Sequence, residues 1–549
     1  MPLSTSRSYF ITRSSVQLKK NPGGGSSVNH LLLGDWLRYL GDTQGDWARI
    51  RCRGDVGWIR TGDFSEARAL EVNFIDIGQG DGCHIVTPDD EVILIDSGVG
   101  TNMNRFLSWR YNLRSRNVRR APDFDPERAE RAPWPIDHVV ITHPDNDHYY
   151  GFLDVFSNPK LSFDRIWHNG IVERPIREDD PTLWYPSRDD LGGYVRGGTS
   201  YLWDVAHTPE RLREIVDAHP TSQKQLLRTL RACFANSPDA TFQAVSRRDD
   251  ALTVPTHLGP FDGSTSVTLE VLGPITEEVD HNGESRRCLR RLGDEGVTKN
   301  GHSVILKLVF GRLKVLLGGD LNTEAQDFLL RQYTSVSTKA STLEDRIAAY
   351  EALGDTITDD DRDRLERDRA KRAAQVEEAR SVFECDVAKA CHHGSAHFVD
   401  TFLRAVNPVV TVISSGDEES HSHPRPDALG TFGKHGRGRR PLIFSTELAR
   451  STREFTPILR YLEELRRYEA ALAAEPDPRD REAIRTAMEG RRDRNVAVYG
   501  MITLRALGDV ILLAQKLEVP ASRGSTLQKW DIYELHHNEH TGTFEYTGH

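Results

Sequence analysis

The densest group of reactive side chains is Thr142-His143-Pro144-Asp145-Asn146-Asp147-His148, which directly follows the apolar run 138–141. Two imidazoles and two carboxylates within six residues form a ligand set that suits divalent metal ions. His143 and Asp145 can face one ion, and Asp147 and His148 a second. Two ions ~3.5–4 Å apart need a carboxylate from elsewhere in the chain to bridge them. The segment therefore predicts a metal centre at the end of a strand, completed by other loops.

Three later segments can supply the remaining groups. The apolar run Val315-Leu316-Leu317 leads into Gly318-Gly319-Asp320, where a tight turn presents one carboxylate that could bridge. The adjacent His392 and His393 follow another short apolar run, and a third such run is followed by His423. Each segment alone is a weak indication of a ligand, but their order behind the first motif favours one shared site.

From about residue 70 onward, the elements that must position these loops have the sequence pattern of an α/β fold. Apolar strand-like runs, such as 70–77, 92–95 and 138–142, alternate with glycines and polar loops. Three segments read as insertions into this body, and each is rich in charged residues or has helical spacing: 104–134, 321–384 and 455–492.

The first 66 residues differ from this body and read as short strands broken by turns. The order of turn, apolar strand, Gly45-Asp46-Trp47 and Gly57-Trp58 resembles a bacterial SH3 (SH3b) domain. This resemblance predicts two domains, 1–66 as a small SH3-like β-barrel and 67–549 as the α/β body. Both tryptophans also fit ordinary packing positions in such a barrel.

The body resembles the metallo-β-lactamase fold superfamily, and within it the hydrolases related to the ComEC/Rec2 competence protein. The resemblance spans about residues 70–518. Its landmarks occur in the expected order at 74–82, 94–98, 143–151, 300–304, 319–320, 389–395 and 423–424.

The resemblance implies an αββα sandwich with helical insertions and two divalent ions, Zn or Mn, at the sheet edges. His143 and Asp145 would face the first ion, Asp147 and His148 the second, Asp320 would bridge, and His392 would complete the second site. The segment that matches the superfamily's third histidine motif reads Asn300-Gly301-His302-Ser303. This difference leaves open whether His302 is a ligand and whether both ions are tightly held.

Hydrolysis by a metal-activated water is the chemistry that such a centre would perform. Asp147 can hold the water as well as a metal, His393 and His423 can contact substrate or protonate the leaving group, and Ser395 can bind the substrate. The chain has neither a Gly-x-Ser-x-Gly elbow nor a Walker phosphate loop, so serine-esterase and P-loop chemistry have no support.

A phosphodiesterase or nuclease acting on nucleic acid or nucleotides is the leading prediction. Support comes from the ComEC-like resemblance and from basic residues expected near the substrate, Lys434, Arg437, Arg439 and Arg440, with a second cluster between Arg105 and Arg120. Both clusters also fit solvated charged faces. The alternatives are an ester, lactone or thioester hydrolase of the same fold, and a partner-binding protein with a degenerate hydrolase domain.

Composition bounds the class of protein. The 549 residues are 38% hydrophobic and 28% charged with a formal net charge of -11, as in a soluble globular protein. No run approaches the ~18 apolar residues of a membrane span, and the first residues lack the apolar core of a secretory signal. We therefore expect a cytoplasmic protein with no membrane partner. The SH3b-like domain could bind a protein partner.

Overall fold

The computed structural model describes residues 3–113, 133–176, 180–416, 422–446, 458–492 and 500–548. Residues 9–65 form an antiparallel seven-stranded N-terminal sheet with an apolar core of its own. This arrangement is compatible with the small barrel that the sequence predicts. In spatial order its strands are Gly24–Leu32, Ser15–Asn21, Asp55–Arg60, Trp47–Cys52, Trp36–Gln44, Tyr9–Ile11 and Phe64–Ser65.

The body contains two large sheets, and the predicted α/β fold is confirmed. The first sheet has ten strands, in spatial order Thr241–Ala244, Leu161–His168, Trp134–Ile141, Val92–Ile95, Cys83–Val86, Leu70–Phe74, Ile502–Leu507, Val510–Arg523, Thr526–Asn538 and Thr543–Glu545. The second sheet has seven, in spatial order His257–Asp262, Thr268–Gly273, Ile305–Phe310, Leu313–Leu317, Val387–Lys389, Val410–Ile413 and Leu442–Ser445.

The two sheets pack face to face because their central strands are apolar on both sides. In strand Val92–Ile95, Ile93 and Ile95 join the core between the sheets, whereas Val92 and Leu94 face the helices outside. Such continuous apolar runs are typical of strands buried on both faces. From the second sheet, Val271 and Leu306 enter the same central core.

Helices cover the outer face of each sheet. Those that pack on the first sheet are Asn102–Arg110, Phe152–Phe156, Pro209–Asp217 and Gln225–Asn236. Those over the second sheet are Thr323–Tyr333, Ala340–Glu351, Asp359–Phe383, Asp400–Val406 and Pro426–His435. The segment predicted as an insertion at 321–384 therefore supplies much of this second helical layer.

The other described elements lie in loops or at the periphery. Short helices form at Asn146–Tyr149 and Glu295–Gly301, and 3-10 turns at Thr61–Asp63, Asp249–Ala251, Gly354–Thr356 and Cys391–Gly394. A small sheet contains Tyr194–Val195, Tyr201–Leu202, Glu284–Arg290, Ile275–His281 and Arg247–Arg248. Residues of the predicted insertion at 455–492 form helices Ile458–Ala474 and Pro478–Arg492, and much of the one at 104–134 lies outside the described residues.

The C-terminal hairpin of strands Val510–Arg523 and Thr526–Asn538 connects the N-terminal sheet to the body. Gln17 Nε2 donates to the carbonyl of Leu527 at 2.8 Å, and the amide of Leu527 donates back to Gln17 Oε1 at 3.0 Å. Leu32 and Leu33 pack with Leu512 and Trp530 in one buried apolar cluster. The N-terminal sheet and the body therefore share a packed interface.

Among the described residues, no helix combines the length and the apolar character that crossing a bilayer requires.

Candidate metal centre

The predicted metal-binding segments meet at one edge of the sandwich. The parallel strands Val92–Ile95 and Trp134–Ile141 of the first sheet end there, as do Leu313–Leu317 and Val387–Lys389 of the second. The amide of Val304 donates to the carbonyl of Thr142 at 2.9 Å and joins the two sheets at this edge. Because parallel strands place their carboxyl ends together, loops far apart in sequence converge here.

His148 is held from both ring nitrogens. Its Nδ1 lies 2.8 Å from Oδ2 of Asp96, and its Nε2 lies 3.2 Å from Oδ2 of Asp320. Asp96 also accepts hydrogen bonds from the amide and hydroxyl of Thr142, at 2.8 and 2.6 Å. A carboxylate on one ring nitrogen directs the lone pair of the other toward a metal. This geometry gives Asp96 an orienting role.

Asp320 lies at the centre of the group. Besides His148, its Oδ2 lies 3.1 Å from Nε2 of His393, and its Oδ1 lies 3.5 Å from the ammonium of Lys389. Lys389 also forms an ion pair with Asp81 and donates to the carbonyl of Gly319 at 3.0 Å. One oxygen of Asp320 is thus engaged by a buried ammonium, and the other faces two imidazoles.

His393, rather than the His392 that the resemblance implied, belongs to the groups of close ligand atoms. Its Nε2 lies 3.5 Å from Asp147 Oδ2, and its Nδ1 lies 3.2 Å from Asp81 Oδ1 and 3.0 Å from the carbonyl of Ser414. Both histidines have left-handed backbone conformations, with φ of 50° and 53°. Non-glycine residues rarely adopt these angles, so the strained turn is what aims His393 into the site.

The loop at 76–82 packs against the metal-binding segment 143–148. The amide of Asp81 donates to the carbonyl of Asp147 at 3.2 Å. Gly80 has a φ of 103°, and a Cβ at this position would lie 1.7 Å from the carbonyl oxygen of Asp147. Only glycine permits this approach, which places the Asp81 carboxylate beside His393 and Lys389.

The donor atoms fit divalent metal ions. Within the described residues, four overlapping groups hold ligand atoms within 4.8 Å of one another: His143, His148 and Asp320; Asp147, His148 and His393; Asp81, Asp320 and His393; and Asp81, Asp96 and His148. His148 Nε2 and His393 Nε2 are buried without a well-oriented hydrogen-bond partner. Buried polar atoms are rarely left so, and a metal ion between them would satisfy both.

The pKa shifts of the buried side chains also favour metal binding at this centre. Burial alone would lower the pKa of His148, but Asp320 and Asp96 outweigh it and raise that pKa well above its ordinary value. For His393, Asp320 and Asp81 likewise outweigh burial and raise the pKa. Burial opposes ionisation of Asp320, yet His393, His148 and Lys389 hold its pKa well below the usual range. Without metal these imidazoles hold protons, which metal binding would displace.

A family model for the metallo-beta-lactamase superfamily matches residues 83–391, more than half of the chain. The chain therefore belongs to the metallo-beta-lactamase superfamily. Members of this superfamily are generally metal-dependent hydrolases and typically bind divalent ions, usually zinc. No curated protein matches this chain.

The superfamily match includes the loops that carry His143 to His148 and Asp320 and ends at Cys391, just before the histidine pair. Of the predicted metal ligands, His143, Asp147, His148 and Asp320 belong to the groups of close ligand atoms. Asp145 lies at the rim, with its side chain 37% exposed and 3.8 Å from the Lys299 ammonium. His302 turns away, and its Nε2 lies 2.6 Å from the carbonyl of Arg290.

The remaining predicted site residues lie at two places. His392 and His423 border the metal groups, with ring centroids 5.7 Å apart, and Ser395 is buried next to them with Oγ accepting from the amide of His397. Arg437 lies at the opposite edge of the second sheet. Its guanidinium pairs with Asp386 and donates to the carbonyls of Cys385 and Asn407, residues that precede the parallel strands.

The structure therefore does not bring Arg437 to the metal centre. Lys434 lies in the last turn of helix Pro426–His435, and Arg439 and Arg440 are exposed just before strand Leu442–Ser445. All three therefore lie toward the same far edge. In the other basic cluster, Arg110 binds Glu71 at 2.9 Å, and Arg114, Arg116, Arg119 and Arg120 lie outside the described residues.

The sequence alone assigned no role to Lys389. A lone lysine in an apolar strand carries no metal signature. Only the folded arrangement shows that its ammonium lies between two carboxylates of the site.

Proposed function

We propose that this protein is a metal-dependent phosphodiesterase that acts on nucleic acid or nucleotides. The observation that carries the proposal is the group of imidazoles bordering the carboxylate-rich metal centre. The ring centroid of His392 lies 5.9 Å from that of His397 and 5.7 Å from that of His423, and His423 stacks 6.3 Å from His393. Imidazoles beside a divalent centre are suited to contact phosphate oxygens and to protonate a leaving alkoxide.

His143, Asp145, Asp147, His148, Asp320 and His393 would hold the ions, with Asp81 as a further carboxylate. When bound, two divalent ions lower the pKa of a water nucleophile and neutralise charge on the attacked group. Zn and Mn both suit this mixture of imidazoles and carboxylates.

The chain's own groups supply the remaining steps. Asp147 is buried, and although burial opposes its ionisation, its hydrogen bond to His393 and the charges of His148 and His393 lower its pKa. It is therefore ionised, and as a hydrogen-bond acceptor it can orient the attacking water. His423 borders the centre on the side of the histidine pair, where it can donate a proton to the departing oxygen.

Arg437 and Arg110 do not enter the proposal, because their guanidinium groups pair with Asp386 and Glu71 inside the protein. Substrate charge is met instead by the ions and the imidazoles. The N-terminal sheet has a separate proposed role, which is to bind a protein partner.

The test is hydrolysis of bis(p-nitrophenyl) phosphate, linear and circular DNA, and RNA by the purified protein loaded with Mn²⁺ or Zn²⁺. Asp147→Asn should lower the rate by about 10²- to 10⁴-fold, the range for loss of a positioned proton acceptor. Asp154→Asn is the matched control, since Asp154 is exposed on the next helix, Phe152–Phe156. Hydrolysis of p-nitrophenyl acetate with no cleavage of any phosphodiester would contradict the proposal in favour of ester hydrolysis.

A further inference from the structure

His143 and Asp145 supply two ligands to the first ion, and a third protein ligand would complete the set. The tautomer of His143 can be deduced from its neighbours. Thr142 Oγ1 donates its proton to Asp96, and Ser303 Oγ donates its proton to the backbone carbonyl of Asn300. Both hydroxyl oxygens lie near His143 Nδ1, at 3.0 and 3.2 Å, and with their protons committed they can only accept. Nδ1 therefore carries the proton, and Nε2 presents its lone pair.

Asp145 is fixed through its Oδ1 atom, which leaves Oδ2 available to a metal. Its Oδ1 accepts from the amide of Asn146 at 3.1 Å and lies 3.8 Å from the ammonium of Lys299. Lys299 is fixed in turn by Glu173 at 2.6 Å and has a side chain only 10% exposed. Oδ2 of Asp145 is left to face the same space as Nε2 of His143.

The side-chain amide of Asn300 fills that space. One atom of the amide lies 3.2 Å from His143 Nε2, 3.2 Å from Asp145 Oδ2 and 3.3 Å from the carbonyl oxygen of Gly296. With nitrogen in this position, the amide donates to surrounding acceptors. With oxygen there, the amide oxygen faces three other acceptors, an arrangement that needs a cation between them.

The spacing matches a coordination shell. Neighbouring donor atoms ~2.0–2.2 Å from a metal in an octahedral or tetrahedral shell lie ~2.8–3.6 Å from one another. The two distances of 3.2 Å from the amide to His143 and Asp145 fall in this range. The terminal torsion of asparagine is broad and roughly two-fold, so half a turn exchanges nitrogen for oxygen at low cost.

We infer that Asn300 is the third protein ligand of the first ion, through its side-chain oxygen. In the metal-free protein its nitrogen donates to His143 and Asp145 and keeps the pocket formed. When the first ion binds, the amide turns and its oxygen replaces that nitrogen. His302, which contacts the Arg290 carbonyl, is not a ligand. This inference rests on the metal centre of the proposed function but not on the identity of the substrate.

Equilibrium dialysis against Mn²⁺ or Zn²⁺, followed by elemental analysis across a range of free metal concentrations, tests the inference without an activity assay. Wild-type protein should bind two ions per chain. Asn300→Ala should weaken one of them at least tenfold, as a neighbouring or direct ligand contact is worth about 10- to 100-fold in affinity. Asn300→Asp keeps an inward oxygen and should bind both ions at least as tightly as the wild type.

Asn169→Ala is the matched control. Asn169 is also a buried amide near this edge, but it donates to the carbonyl of His302 at 3.0 Å and accepts from the amide of Ile171 at 3.0 Å, both backbone groups. Its loss should leave the metal isotherm unchanged while costing similar stability. An Asn300→Ala isotherm that superimposes on the wild type would overturn the inference. Wild-type protein that binds two ions but cleaves no phosphodiester would overturn the proposed substrate and leave the ligand assignment standing.

Discussion

Oδ2 of Asp96 lies 2.8 Å from Nδ1 of His148, and this contact decides which nitrogen of the imidazole can bind a metal. The opposite nitrogen, Nε2, then faces Asp320, which comes from the other sheet. A buried aspartate after the strand Val92–Ile95 therefore controls a bond that joins the two halves of the sandwich. The metal centre therefore depends on the Asp96 carboxylate as much as on the ligands themselves.

Asp96→Asn should lower metal affinity by about 10- to 100-fold. An amide that donates to Nδ1 moves the imidazole proton to Nε2, which then cannot bind a metal. Titration calorimetry with Mn²⁺ or Zn²⁺ measures the effect. Asp154→Asn serves as the control, and an Asp96→Asn protein with wild-type affinity would show that the contact is structural only.

The sequence predicts the location of the metal centre better than the identity of the residues around it. The spacing from His143 to His148 after an apolar strand was enough to locate the site, because ligand density is a local property. The choice between His392 and His393 depends on a left-handed turn that adjacent identical side chains do not reveal. Proximity in the chain also misled for Arg437, since the helix Pro426–His435 carries the chain from one sheet edge to the other.

Parts of the fold carried too weak a signal to predict. Strands as short as Tyr194–Val195 and Tyr201–Leu202 show no periodicity, and the small sheet containing them was not anticipated. The hairpin that joins the N-terminal sheet to the body depends on contacts between residues about 500 positions apart, such as Gln17 and Leu527. Such pairings form between surfaces that exist only after each part has folded, so no local pattern of residues predicts them.

Arg437→Ala should destabilise the protein by about 3–5 kcal/mol, because it leaves the buried Asp386 carboxylate without its ion pair. The side chains of Arg437 and Asp386 are only 11% and 7% exposed. Urea denaturation measures the change. The folded fraction should retain its kcat and its KM for a phosphodiester.

Arg439→Ala is the control for this change, since Arg439 is exposed and its loss should alter stability by less than about 0.5 kcal/mol. A raised KM in Arg437→Ala with unchanged stability would instead assign Arg437 to substrate binding.

Leu33→Ala should destabilise the whole chain by about 2–5 kcal/mol. Leu33 is fully buried in the cluster that includes Leu512 and Trp530 of the C-terminal hairpin, so the cavity opens at the domain interface. Calorimetry should show both domains unfolding in one transition, at a lower temperature than in the wild type. Val56→Ala changes a residue that is 36% exposed in the N-terminal sheet and should have little effect. Two separate transitions, with only one moved by Leu33→Ala, would show that the domains unfold independently.

Acid should destabilise the protein between about pH 6.5 and 4 through its buried histidines. Burial lowers the pKa of His84 to about 3 and the pKa values of His138 and His168 to about 4. Below pH 6.5 the unfolded chain binds protons at these positions that the folded protein refuses, so the free energy of unfolding falls as the pH falls. Each such histidine contributes a slope of about 1.4 kcal/mol per pH unit while the two states differ in protonation.

His168→Asn isolates one of these contributions. The Nδ1 atom of His168 accepts from the amide of Gly170 at 3.0 Å, and an asparagine oxygen can take over that role without titrating. The slope of unfolding free energy against pH, measured by urea denaturation from pH 6.5 to 4, should be about 1.4 kcal/mol per unit smaller in the variant. His148 and His393 have raised pKa values in the metal-free protein and act in the opposite sense, but they contribute equally to both proteins. The difference in slope therefore reports His168 alone, and equal slopes would mean that His168 is protonated in the folded state.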